Sequence, residues 1–167
     1  RGNEQETFTL DVVDGNLDAY RRFWQATMTG LDTNAAYFAV QGMNPDGSLN
    51  PSFETLLDVD NLIDTMLVIF YTGNRDEPLS AFLSDELPNN IWTLGNRQGN
   101  PGDGFKFFTH DNENSLDDGN FDRTGPFGQA SLQFKHFNCQ VVHQELLGNA
   151  EYRLRFADRT RKQFFLD

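Results

Sequence analysis

The sequence predicts an α+β domain, mainly helical, with short β-hairpins gathered around a loop-built site. Three observations carry that expectation. Over 58–76 the run DVDNLIDTMLVIFYTGNRD sets Val59, Leu62, Ile63, Met66, Leu67 and Phe70 at the i, i+3, i+4, i+7 spacing of one apolar helix stripe. Two aromatic runs, IWTLGN over 91–96 and FKFFT over 105–109, flank a Gly- and Pro-rich connection and read as a hairpin. From Phe137 onward the apolar spacing is helical again.

Taken in order, residues 7–13 alternate apolar and polar and read as a short strand, broken at Asp14-Gly15-Asn16. Residues 17–28 have helical spacing through Leu17, Tyr20, Phe23, Trp24 and Met28, closed by Gly30, with Trp24 expected in the core. The run 33–42 suits a short helix or a strand, and Asn34, which can cap, followed by two alanines favours the helix. Residues 44–51 are dense turn chemistry.

In the central helix Asp58 or Asp60 can cap the first turn, and Gly73 supplies the left-handed residue that ends it. A buried helix thereby delivers Arg75 and Asp76 onto a loop at a fixed distance from a hydrophobic anchor. Residues 77–90, with two prolines, read as a loop with one helical turn, and 114–131 as a long Asp-, Gly- and Asn-rich loop. Residues 137–147 and 150–165 read as two helices. In the second, Tyr152, Phe156, Phe164 and Phe165 are expected inside, with Arg153, Arg155, Arg159 and Arg161 on a solvated, salt-bridged face.

A chain of 167 residues is one domain's worth, and 16 Phe, 4 Tyr and 2 Trp can fill a core. The formal net charge of −12 and a pI near 4.5 argue against nucleic acid or an anionic membrane as partner. Cys139 is the single cysteine, so no internal disulfide can form, and no apolar run is long enough to span a bilayer. The chain opens at Arg1, and the expectation is a piece of a longer protein.

The polar landmarks fall in a suggestive order: Asn74-Arg75-Asp76 after a helix, Asn89-Asn90 before a strand, and Asp111 after the hairpin. Phosphoryl transfer at a kinase-type site uses this kit. One carboxylate orients the acceptor hydroxyl, while an Asn and an Asp hold the divalent cations that neutralise phosphate charge.

Several stretches carry a resemblance. They are LDVDNLID over 57–64, YTGN over 71–74, PNNIW over 88–92, GFKFFTHD over 104–111, DRTGP over 122–126 and EYRLRFADR over 151–159. In these the chain resembles the spore-coat-protein-H (CotH) kinase-like family, over nearly its whole length. The resemblance implies a protein-kinase-like large lobe, with residues 1–167 as a single domain, the C-terminal part of the family's domain, and the small lobe missing or truncated. It implies Asp76 as the catalytic aspartate, and Asn90, Asp111 and Glu113 as metal ligands, with Asn89 the alternate to Asn90. The cofactors implied are Mg²⁺ or Mn²⁺ with ATP, and the ligand types suit hard cations.

The activity implied is phosphoryl transfer to Ser or Thr of secreted or coat proteins, outside the cell or at its surface. The rival expectation is a non-catalytic structural, coat or adhesion module. The implied partners are a protein substrate or coat protein and the upstream segment of the chain's own domain. That segment would carry the phosphate-gripping lysine, for which Lys106, Lys135 and Lys162 are not placed. Glu77-Pro78 follows Asp76 where the family often has Trp. His110 reads as a strand-end residue rather than a catalytic one. The oxygen-rich run 117–122 has some of the character of a calcium loop but lacks the EF-hand layout and its closing Glu, so calcium is the lesser expectation. Cys139 reads as a small buried hydrophobe, and a Cys139–His143 nucleophile pair lacks an orienting partner.

Overall fold

The computed structural model describes residues 10–96, 103–128 and 132–165. Among them run five α-helices: α1 (Asp18–Thr29), α2 (Asn34–Ala39), α3 (Val59–Thr72), α4 (Cys139–Leu146) and α5 (Ala150–Phe164). Strands β1 (Ile91–Leu94) and β2 (Lys106–Thr109) make one antiparallel pair, with Ile91 opposite Thr109 and Trp92 opposite Phe108. One two-stranded hairpin is all the regular sheet among the described residues, so the α+β class holds only loosely. The expected kinase-like large lobe is not what these elements amount to.

Helix α3 is the axis of the fold. Asp58 is its cap, its Oδ1 accepting the Asn61 N–H at 3.0 Å, whereas Asp60 turns outward to Arg155. Leu62, Ile63, Met66 and Ile69 are fully buried, each contributing about 1.5–3 kcal/mol relative to exposure. The helix packs against β2, α4 and α5. Its tie to β2 is polar as well as apolar. Asn61 Oδ1 accepts the Phe107 N–H at 2.6 Å, and Asn61 Nδ2 and Thr65 Oγ1 both donate to the Phe107 carbonyl. Phe107 itself is fully buried. A parallel bridge from Leu57 to Phe105 extends the contact, and a Cβ on Gly104 would meet the Leu57 backbone at 2.3 Å. Only glycine lets the two chains approach so closely there.

Tyr20 and Phe23 of α1 meet Phe105 and Phe137 in edge-on, tilted and stacked pairs, which closes the core on the hairpin side. On the other side α5 lies on α3 through Arg155–Asp60 at 2.7 Å and Arg159–Asp60 at 3.2 Å, with Arg159 also paired to Asp64. These are partly exposed pairs, so they fix orientation more than they stabilise.

Several expectations are corrected. Residues 7–9 lie outside the described residues, and 10–13 form no strand. Residues 33–42 do contain a helix, but Thr33, accepting from the Ala36 N–H, is the cap rather than Asn34. Helix α4 starts at Cys139 because Asn138 caps it and Phe137 is extended. Phe164 and Phe165 are 41% and 77% exposed, beyond the reach of the core, and Phe164 stacks on exposed Tyr71. Trp24 is half-buried, its indole N–H donating to the Leu132 carbonyl at 3.0 Å. No helix among the described residues is long and apolar enough to cross a membrane.

Candidate functional site

The site is built from the C-terminal end of α3 outward. Gly73 adopts φ 58° and ψ 34°, its N–H returning to the Ile69 and Phe70 carbonyls, which stops the helix. The next residue, Asn74, is completely buried and works in two directions. Its Oδ1 accepts the Asp76 N–H at 2.9 Å, and its Nδ2 donates to Asn112 Oδ1 at 2.9 Å. Main-chain bonds from Arg75 N–H to Asn114 O and from Leu116 N–H to Thr72 O dock the turn after β2 onto the same helix end. A single buried amide therefore sets Asp76 relative to the segment that carries Asp111 and Glu113.

The open end of the hairpin faces this turn. Asn90 and Asp111 flank it, both in the left-handed region at φ 50° and 63°. Asn and Asp tolerate that region better than most residues, and such backbone outliers gather at functional sites. Asn89 Nδ2 and Asn90 Nδ2 both donate to Asp76 Oδ2, at 2.9 and 3.0 Å. The two amides thus converge on one carboxylate oxygen, so both members of the pair belong to the site. Asp76 is partly buried, whereas Asp111 and Glu113 are exposed.

Glu77, a departure from the family pattern, is the buried acid of this region. It is fully buried. Its Oε1 accepts the His110 N–H at 2.8 Å, and that N–H also points to the Asn90 carbonyl at 2.9 Å. Its Oε2 has no hydrogen-bond partner. Burial, opposed by the His110 bond and reinforced by the charges of Asp76, Asp111 and Glu113, pushes its carboxyl up to about 7. So Asp76, Asp111 and Glu113 act on one neighbour. The available signal was an acid beside Asp76 leading into the apolar run Pro78-Leu79. His110 supplies its backbone here while its exposed ring meets Trp92 edge-on at 5.9 Å, as a strand-end residue should.

The donor set fits a hard cation in kind, with carboxylate oxygens on Asp111 and Glu113 and an amide oxygen on Asn90. It is not a closed cage: among the described residues, no three His, Cys, Asp or Glu side chains group so as to hold a metal ion. The run 117–122 spends its oxygens locally. Asp118 Oδ1 accepts from the Asn120 N–H, and Asp122 Oδ1 from the Thr124 N–H and hydroxyl. Cys139 is buried, its thiol pushed up by desolvation, and His143 Nδ1 is engaged by the Tyr152 hydroxyl at 2.7 Å. Neither forms a nucleophile pair. Two grooves of about 370 and 380 Å³ lie elsewhere, one along α5 and one between α1 and α2.

Arg75 and Arg123 lie across the loop side of the site. Arg123 is buried, paired with Asp85 and bonded to the Leu79 carbonyl, and it anchors residues 121–127 over the Asp76 turn. The guanidinium groups of Arg75 and Arg123 sit 4.8 and 5.7 Å from the Phe121 ring.

Comparison with known proteins adds one distant similarity. The chain is 25% identical over 118 residues to a yellow-related salivary protein, M10, of Phlebotomus duboscqi. The match covers 67% of this chain and 26% of that protein, so the chain spans about a quarter of its relative's length. No protein-family model matches the chain, and no solved structure matches it. The absence of any structural match overturns the expected kinase-like large lobe. Short motifs in order specify a local constellation and leave open how the surrounding helices pack.

Proposed function

We propose that this chain carries one wall of an ATP- and Mg²⁺- (or Mn²⁺-) dependent phosphoryl-transfer site, acting on Ser or Thr hydroxyls of secreted or coat proteins. The observation that carries the reading is the Asp76 carboxylate, steered by two amide donors from Asn89 and Asn90. The six ordered stretches that resemble the CotH family support it, and the reading needs no kinase-like architecture.

In this arrangement Asp76 Oδ2 is held by neutral donors, which orient the carboxylate without adding a counter-charge. Its other oxygen takes no part in those two bonds and can accept a hydrogen bond from an acceptor hydroxyl. Asn90, Asp111 and Glu113 are the residues that would hold the cations, with Asn89 the alternate. Bound there, the cation supplies charge neutralisation of the transferring phosphate. Glu77 and Asn74 act through others: Glu77 holds the His110 main chain beside Asp111, and Asn74 joins the two loops. A second reading, a non-catalytic structural, coat or adhesion module outside the cell, is favoured by the lack of a closed acidic cage among the described residues.

The test is calorimetric titration of Mg–ATP into the full-length protein and into this chain, alongside radiolabelled phosphate transfer to the protein itself and to casein. The phosphotransferase reading expects nucleotide binding that Asp111→Ala weakens at least tenfold with unchanged circular dichroism. It also expects transfer that Asp76→Asn abolishes with binding retained. If the full-length protein neither binds Mg–ATP nor transfers phosphate, the module reading replaces it.

A further inference from the structure

Among the described residues no carboxylate pairs with the Arg75 guanidinium, in a chain of net charge −12. The Arg75 main chain is pinned on both sides, the N–H to the Asn114 carbonyl at 3.2 Å and the carbonyl to the Ala81 N–H at 2.7 Å. Its guanidinium lies over two rings, 4.8 Å from the centre of Phe121 and 5.3 Å from that of Phe82. Phe82 is 58% exposed, so this cluster reaches the surface. Arg75 Nε is buried with no hydrogen-bond partner, and no ion pair joins the guanidinium to any described carboxylate.

The neighbouring residue makes the arrangement informative. Asp76 follows Arg75 directly, yet its carboxylate is held by the Asn89 and Asn90 amides and not by Arg75. The adjacent opposite charges are thus kept from neutralising each other. Four other arginines find carboxylates, in the pairs Arg22–Glu54, Arg123–Asp85, Arg155–Asp60 and Arg159–Asp64. A planar cation held by aromatic faces, with its donors unused, is suited to an oxyanion, which a guanidinium can grip through two parallel N–H groups.

We propose that Arg75, resting over the Phe82 and Phe121 rings, is an anion-binding residue that takes a phosphoryl group beside Asp76. The choice of phosphoryl over other oxyanions rests on the phosphotransferase reading, whereas the anion site itself rests on the unpaired guanidinium. The phosphoryl group can belong to the nucleotide, to a phosphorylated side chain or to free phosphate. All three present the same tetrahedral oxygens.

The experiment follows the Arg75 Nε–Hε resonance in ¹⁵N-labelled protein, assigned by its loss in Arg75→Lys. The ligands are inorganic phosphate, O-phosphoserine and Mg–ATP, each compared with sodium chloride at matched ionic strength. A saturating shift with at least one phosphoryl ligand and none with chloride is expected. The dissociation constant, read in wild type and variants alike from the shift of the adjacent Asp76 backbone amide, should rise roughly tenfold in Arg75→Lys, which keeps the charge but loses the flat fork, and rise further in Arg75→Gln. Phe82→Leu, at an exposed position, should weaken binding about threefold with the fold intact. A response to O-phosphoserine without one to Mg–ATP assigns the site to the phosphorylated acceptor, and the converse assigns it to the nucleotide. If phosphate and O-phosphoserine bind through Arg75 while Mg–ATP neither binds nor reacts, the anion site stands and the phosphotransferase reading falls. Absence of any phosphoryl-specific shift, or equal affinity in Arg75→Lys and Arg75→Gln, overturns the proposal.

Discussion

Replacing Glu77 by Gln should stabilise this protein above neutral pH and leave it nearly unchanged in acid. The carboxyl is fully buried, and its pKa is raised from an ordinary 4.5 to about 7. For an acid raised on folding, the native state binds more protons than the unfolded chain between those two values. Stability therefore falls as pH rises through that window and levels off above about 7. The separation corresponds to about 3 kcal/mol of lost stability at pH 8, at 1.36 kcal/mol for each unit. Gln keeps an oxygen to accept the His110 N–H and carries no charge to bury among Asp76, Asp111 and Glu113. The expected difference between variant and wild type is near zero at about pH 4, roughly 1 kcal/mol near pH 5.5 and about 3 kcal/mol at pH 8. Urea denaturation across that range, with the slope of each transition checked for constancy, measures it. An offset independent of pH, or a variant less stable than wild type at pH 8, would refute the reasoning, because either outcome removes the buried charge as the cause.

Two further predictions test the frame. His143, buried against Tyr152 and the Phe70 and Phe156 rings, is pushed down by desolvation to about 4. For this depressed histidine the unfolded chain takes up protons first, so stability rises with pH from about 4 to 6.5 and is lost in acid. That slope opposes the Glu77 slope over much of the same range, so the wild type should be nearly flat between about pH 4.5 and 6.5. Glu77→Gln should expose the histidine's slope, and adding His143→Gln should flatten it again in the same urea series. Asn61→Ala removes two of the three side-chain bonds to Phe107, keeping that from Thr65, and leaves the Phe107 N–H without its side-chain acceptor. A loss of about 2–4 kcal/mol in urea denaturation is expected, with slower exchange protection lost first at the β2 amides.

What was legible in the sequence was local and periodic. The apolar stripe of α3, an aspartate cap at Asp58 or Asp60, the Gly73 stop, and the two aromatic runs that became β1 and β2 depend on spacing and on residue-specific backbone preferences, and the fold chose Asp58. Those preferences act over a few residues, so the sequence by itself determined that Asp76 would emerge on a turn after a buried helix. It likewise placed Asn89, Asn90 and Asp111 at the ends of one hairpin. Tertiary structure decided the rest, because burial and pairing depend on what packs opposite. Only the fold shows that both Asn amides meet one oxygen of Asp76, that Glu77 is entombed beside them, and that Asn74 links α3 to the turn carrying Asp111. Phe164 and Phe165 have the spacing of core residues and remain exposed, since α5 outruns the surface it covers. The same limit explains the misjudged architecture. Ordered motifs constrain a site of a few residues, while the packing of five helices around it is set by contacts between segments far apart in the chain.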